Sequence, residues 1–151
     1  MLKSKIKNPN QAGFTLIEIM VVVIILAILA AIIVPKIMDR PEQARIVKAK
    51  EDITSLENAL GLYKLDNGVY PTTAQGLKAL VTIPTTAPIP QQYANGGYIK
   101  EAPMDPWGHF YQYLQPGKHG DIDIFTYDPN RLDPLTKQPI LIGNWNIDKI
   151  K

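Results

Sequence analysis

Two histidines, His109 and His119, and two acids one residue apart, Asp121 and Asp123, come nearest in this 151-residue chain to groups that could do chemistry. An imidazole can shuttle a proton near neutral pH, and paired carboxylates can divide the work of acid and base. Neither histidine has a serine at the spacing of a nucleophile motif, and the chain contains no cysteine. That excludes a thiolate nucleophile, a thiolate metal site and a disulfide framework. No glycine-rich phosphate loop occurs. Both histidines are expected on the surface of a strand-and-turn region. Asp121 and Asp123 are expected to share one solvated strand face, because residues two apart on a strand point the same way. The chain does not read as an enzyme.

A different kind of chemistry is implied by Glu18. It is the single charge in GFTLIEIMVVVIILAILAAIIVP, which runs from Gly13 to Pro35. A charge at the centre of a membrane helix costs roughly 2.5–3.5 kcal/mol on insertion scales, and such residues mark function. The 21 residues from Phe14 to Val34 would make a helix about 31 Å long. A bilayer's hydrocarbon core is about 30 Å thick. A secretory signal has a shorter apolar region, roughly 7–15 residues, followed by a small-residue cleavage site. A core helix so uniformly apolar would need a much larger protein around it. A membrane helix is therefore predicted over 14–36. Lys3, Lys5 and Lys7 precede it, so the positive-inside rule keeps the amino terminus cytoplasmic and sends the rest across the membrane. From Phe14 onward 13 basic and 14 acidic side chains nearly cancel, which leaves no electrostatic basis for binding nucleic acid.

The stretch AGFTLIE resembles the processing site of the type IV pilin superfamily. The resemblance implies that 1–13 is a basic leader, cut by a prepilin peptidase between Gly13 and Phe14. Phe14 would then become an N-methylated terminus, and Glu18 the acidic fifth residue of the mature chain. In a bundle of such helices the terminal ammonium of one subunit can lie beside Glu18 of the next. Opposite charges together are far cheaper in low dielectric than either alone. A merely wetted carboxylate at headgroup level is the second reading of Glu18.

Beyond Pro35 the pattern becomes one-sided. Ala44, Val47, Ile53, Leu56, Leu60 and Tyr63 recur at intervals of three, four or six, which predicts an amphipathic continuation of the helix over 37–66. Pro35 and Pro41 should each disturb it, and Pro41 could begin a separate segment. Asn67-Gly68 supplies a left-handed cap and Pro71 cannot continue the helix. A globular head is expected over 67–151. PTTAQGLKALV (71–81) reads as a short helix capped by Thr72 or Thr73, with Leu77, Leu80 and Val81 inward. Residues 82–97, rich in proline and closed by Asn95-Gly96-Gly97, read as loop. HFYQYLQ (109–115) and DIDIFTY (121–127) read as strands joined near Pro116-Gly117, with a last strand at Ile140 to Ile142.

Within the superfamily the head resembles the major, G-type pseudopilin of type II secretion. The resemblance rests on residues 59–80, 105–125 and GNWN at 143–146. In physical terms Asp105-Pro106-Trp107-Gly108 is a turn that delivers an indole to the core edge, and Trp145 is a second packing anchor. The fold implied is α+β and type IV pilin-like: a long amino-terminal helix, membrane-spanning in its first half, packed on a small antiparallel sheet. The function implied is that of a structural subunit of the periplasmic pseudopilus, which drives export of folded proteins across the outer membrane. Implied partners are further copies in a helical homopolymer, minor pseudopilins, prepilin peptidase and an inner-membrane platform protein with its cytoplasmic ATPase. Membrane lipid holds the chain before assembly. A type IV pilin for motility, adhesion or DNA uptake is the alternative, and a membrane-tethered binding module that never polymerises is the third reading.

The same resemblance implies calcium in the last loop. In the family's pattern three acids hold it, and in YDPNRLDPLTKQPILIGNWN (127–146) their places fall on Asn130, Pro139 and Leu141. Calcium takes six to eight hard oxygens. Asp128, Asn130 and Asp133 with backbone carbonyls are what remains to form a weak site. Alternatively Pro129, Pro134 and Pro139 stiffen the loop without an ion.

Overall fold

In this computed structural model residues 13–150 are described, with only the helical course of the backbone for 32–40. Thr15 opens helix α1 (Leu16–Asn67). Its Oγ1 accepts the amide of Glu18 at 3.3 Å, so Thr15-Leu16-Ile17-Glu18 is an N-terminal cap of the T-x-x-E type. At the other end Gly68, with φ of 76°, donates its amide to the Lys64 carbonyl at 2.7 Å. That is the left-handed stop expected of glycine. The helix is unbroken through Pro35 and Pro41, so Pro41 does not begin a separate one. Proline's fixed φ is helical, and what it removes is one amide donor. One compact unit of the chain ends at Arg40 and the next begins at Pro41.

In the second unit the buried stripe of α1 is Ile46, Ala49, Ile53, Leu56, Leu60 and Tyr63, none more than 3% exposed. The steps are three and four residues in strict alternation, the period of a helix face. Ala44 and Val47, expected inward, are exposed. The gap of six between Val47 and Ile53 is where that expected face departed from the true one. The stripe forms a single core with Leu77, Ala79, Leu80, Tyr111, Tyr113, Ile122, Ile124 and Ile142.

The sheet is antiparallel, in the order β1 (Gln112–Leu114), β2 (Asp123–Leu132), β3 (Pro139–Gly143). With α1 this gives the expected α+β fold. Strand β1 is shorter than HFYQYLQ suggested, and β2 runs five residues beyond Tyr127. Thus Pro129 lies in a strand and Pro139 begins one, rather than both stiffening a loop. The short helix expected over 71–81 is a 3₁₀ turn, Leu77–Leu80. Gly76, with φ of 60°, interrupts the run. Thr72 and Gln75 close a turn before it, each side chain accepting the other's amide at 3.2 and 2.9 Å. The Gln75 side-chain Nε2 then donates to the carbonyls of Thr86 and Pro88, which anchors the 82–97 loop.

The acid pair departs furthest from expectation. Asp121 precedes β2, is exposed, and pairs with Lys64 at 3.2 Å. Asp123 is 1% exposed. The turn before β2 folds back over it: the amides of Lys118 and His119 donate to its carboxylate at 2.9 and 3.2 Å. The His119 ring nitrogen Nδ1 lies 2.9 Å from Oδ2. His119 in turn stacks on Trp145, with ring centres 3.8 Å apart. Trp145 seats against Gly143, where a Cβ would come within 2.4 Å of the indole. Asp123 therefore knots the turn to the end of β3.

Burial raises the Asp123 carboxyl, but the His119 ring, the two amides and the imidazole charge outweigh it and leave its pKa below the usual value. A depressed folded pKa adds stability above the unfolded value, about 4, and loses it as pH falls through the folded value. Asp123→Asn should therefore destabilise at neutral pH by about 1–3 kcal/mol and flatten the acid limb of a stability-against-pH curve below about pH 4. Circular dichroism melts between neutral and acid pH test this. Gly143→Ala should cost about 1–3 kcal/mol by overpacking and weaken the aromatic circular dichroism of the Trp145 stack.

Candidate functional site

Gly13 and Phe14 precede α1 in non-helical backbone. A Cβ on Gly13 would meet nothing within 4 Å, and Phe14 is 79% exposed. The backbone at this bond is therefore open to a protease. Glu18 lies exposed in the first turn of α1. Around and beyond it Leu16, Ile17, Ile19, Met20 and the run from Val21 to Leu26 are all between 46% and 81% exposed. They cover every side of the helix, so no polar face is left for water. Such a surface calls for lipid or for other helices of its own kind. Among the described residues no helix is long and apolar enough to cross a membrane. The apolar run to Val34 enters 32–40, and Lys3, Lys5 and Lys7 also lie outside the described residues.

The three remaining calcium candidates are each engaged in hydrogen bonds of the head. Asp133 spends Oδ1 on its own turn, accepting the amides of Leu135 and Thr136 at 2.9 and 2.7 Å. Asp128 is buried, 1% exposed, and its Oδ1 accepts the Asn130 amide at 2.9 Å. Its Oδ2 is buried without a hydrogen-bond partner. Among the described residues no three acids or histidines gather where they could hold an ion.

Asp128 faces a residue that the sequence pattern did not single out, Glu42 in the first head turn of α1. Glu42 Oε1 accepts the Trp107 indole N–H at 3.0 Å. Its Oε2 accepts the Asn130 side-chain amide at 3.0 Å and the Arg45 guanidinium at 3.1 Å. Burial opposes the Glu42 charge, yet the Asn130, Trp107 and Arg45 hydrogen bonds and the Arg45 charge hold its pKa below the ordinary value. Asp128 moves the other way. Burial raises it first and the Glu42 carboxylate adds to this, against the Asn130 amide and the charge of Arg131. Sixty-odd residues separate Glu42 from Trp107 and more from Asn130. No local spacing signals such a meeting.

The Trp107 turn is built as expected. Asp105 Oδ1 accepts the amides of Trp107 and His109 at 3.0 and 2.8 Å. The Gly108 amide, at φ of 90°, closes onto the Asp105 carbonyl at 3.0 Å. Thr126 donates its hydroxyl to the other carboxylate oxygen. His109 stands at the surface, with Nδ1 3.7 Å from Asp105. Each histidine thus meets an acid already committed to holding a turn.

With this geometry in place, comparison with known proteins is informative. Residues 8–34 match the prokaryotic N-terminal methylation motif, and residues 36–145 match type II secretion system protein G. The core protein G of the type II secretion system of Pectobacterium carotovorum is 55% identical over 93% of this chain and 88% of its own length. That of Vibrio cholerae is 55% identical over 93% and 96%. In structure the chain is similar to the crystallised major pseudopilin of the type 2 secretion system of enterohaemorrhagic Escherichia coli. The TM-score is 0.62 at 45% identity, covering 72% of this chain and 93% of that one. A terminus that matches the methylation motif and a head of matching sequence and fold agree, and the chain belongs to the type II secretion system protein G family, the major pseudopilins.

Proposed function

We propose that this chain is the repeating subunit of a periplasmic pseudopilus that drives export of folded proteins across the outer membrane. The observation that carries the reading is Glu18, the one carboxylate in the amino-terminal stretch of α1 where apolar side chains from Leu16 to Leu26 are exposed on all sides, five residues into the chain that begins at Phe14. A lone anion in such a surface is stabilised by a cation brought by the next subunit, and the amino group freed by cutting after Gly13 is that cation. Glu18 then sets the register between helices. A slip would leave both charges unpaired in an apolar bundle, which is strongly unfavourable.

Before assembly the helix from Phe14 resides in the inner membrane, with the leader cytoplasmic and the head periplasmic. Prepilin peptidase removes 1–13 and Phe14 is methylated. Minor pseudopilins, an inner-membrane platform protein and its cytoplasmic ATPase complete the machine. The chain's own part is structural, with histidines and buried acids that fasten turns.

Deletion of the gene should trap exported proteins in the periplasm while surface motility persists. Wild-type plasmid should restore secretion. Glu18→Ala should insert and be processed normally, yet assemble few fibres and restore little secretion. Normal secretion with lost motility would transfer the chain to the type IV pilins. Fibres from Glu18→Ala equal to wild type would sink the pairing role. Separately, Gly13→Val should leave a precursor heavier by the leader, read by mass spectrometry of the membrane fraction. A fully processed Gly13→Val chain would place the cut elsewhere.

A further inference from the structure

Two of the three calcium positions implied by the family fall in this chain on Pro139 and Leu141, which cannot supply side-chain ligands, and the third, Asn130, donates its side-chain amide to Glu42. Pro139 and Leu141 stand in β3, opposite Leu132 and Tyr127 of β2. The segment that would wrap an ion is a hairpin. Its turn is closed by the Asp133 amide on the Gln138 carbonyl at 2.8 Å and the Lys137 amide on the Asp133 carbonyl at 2.9 Å. The Asp133 carboxylate caps the amides of Leu135 and Thr136 inside that turn.

At the base of the hairpin a cation would meet donors rather than ligands. Both oxygens of Glu42 receive N–H groups, from Trp107 on one side and from Asn130 and Arg45 on the other. The guanidinium brings a positive charge to the same place. Asp128 Oδ1 receives the Asn130 amide, so Oδ2 is the one carboxylate oxygen of this pair without a donor. One such oxygen falls well short of the six to eight that calcium needs.

We infer that this head fastens its last hairpin without a metal ion, and that Glu42 is the latch, tying α1 at once to the Trp107 turn and to Asn130 on β2. One acceptor on the helix gathers donors from two separate segments of the head. Strand pairing on either side of an irregularity at 129–131 puts Pro139 and Leu141 in the ladder, and Asn130 within that irregularity is held by Glu42. This holds whatever the fibre does.

The test uses the full-length protein in detergent micelles, melted in millimolar calcium and again in excess EDTA, with limited proteolysis of the 132–138 turn read by mass spectrometry. The melting midpoint should be the same in both solutions. Glu42→Ala should lower it by several degrees and speed cleavage at the turn several-fold. Asp128→Asn should melt at or above the wild-type midpoint, because its amide can donate to Glu42 where an unpartnered oxygen stood. A rise in the wild-type midpoint on adding calcium, lost in Asp128→Asn, would overturn the inference. Wild-type melting and cleavage in Glu42→Ala would also overturn it. If Glu42→Ala does not fold, Glu42→Gln keeps one acceptor oxygen and decides the matter: faster turn cleavage is expected, and wild-type cleavage refutes the latch.

Discussion

The constraint on which the head depends is the stripe of α1 from Ile46 to Tyr63. A helix can bury one face only if apolar residues return every three or four positions. Ile46, Ala49, Ile53, Leu56, Leu60 and Tyr63 do so without a break, and all are nearly inaccessible. A single three-stranded sheet needs a second layer to cover its apolar face. The stripe supplies that layer. Tyr111 and Tyr113 enter the same core and bring hydroxyls that need partners. Tyr111 donates to Asp52 on the helix at 3.0 Å, and Tyr113 to the Pro71 carbonyl at 2.8 Å. The amino-terminal part of α1 obeys a different rule, being apolar on every side, so the sequence marks its two surroundings before any tertiary contact is considered.

Apolar packing alone would allow the head to slide along the stripe, since one isoleucine resembles the next. Buried polar contacts remove that freedom. Asp52 accepts from Tyr111 and from Lys48, Glu42 from Trp107 and Asn130, and Lys50 donates to the Ile150 carbonyl at 2.6 Å. Each bond is worth modest net energy, about 0.5–1.5 kcal/mol, but leaving a buried partner unmet costs more. A shift by one helical turn would unmake several together. In this protein the apolar stripe supplies cohesion, and the acids on α1 supply register.

What the sequence made legible follows the same division. Periodicity and punctuation located the end of α1 at Asn67-Gly68, the three strands and the Asp105–Gly108 turn, because each is set by residues close together in the chain. It failed where long-range contacts decide. Asp123 sits in a segment that alternates like a half-solvated strand, and only the folding back of Lys118 and His119, roofed by Trp145, buries it. Val47 is as apolar as Ile46, and a window containing both cannot say which one meets the sheet until the phase from Ile53 backward is counted. Leu77–Leu80 has helical composition, but Gly76 with positive φ and the Thr72–Gln75 box limit it to a single 3₁₀ turn. At the amino terminus the motif containing Gly13, Phe14 and Glu18 was legible because it depends on order along the chain. Glu42 was not, since its partners come from Trp107 and Asn130.

That contrast bears on how a metal-binding loop can be dispensed with. A calcium loop concentrates its determinants in one segment, so replacing its three acids by Asn130, Pro139 and Leu141 removes that fastening. In this chain the determinants are spread. Strand pairing from Phe125 to Leu132 against Pro139 to Gly143 closes the backbone, and the Asp133 turn caps the tip. The helix contributes Glu42 at the base. Strand pairing satisfies backbone donors and acceptors directly, whereas an ion must be captured before it can hold anything, so its hold varies with free calcium. A hairpin closed by its own hydrogen bonds does not depend on capturing such an ion. On the inference drawn above, the head folds without first capturing a cation, because its last hairpin is closed by donors and acceptors of its own chain.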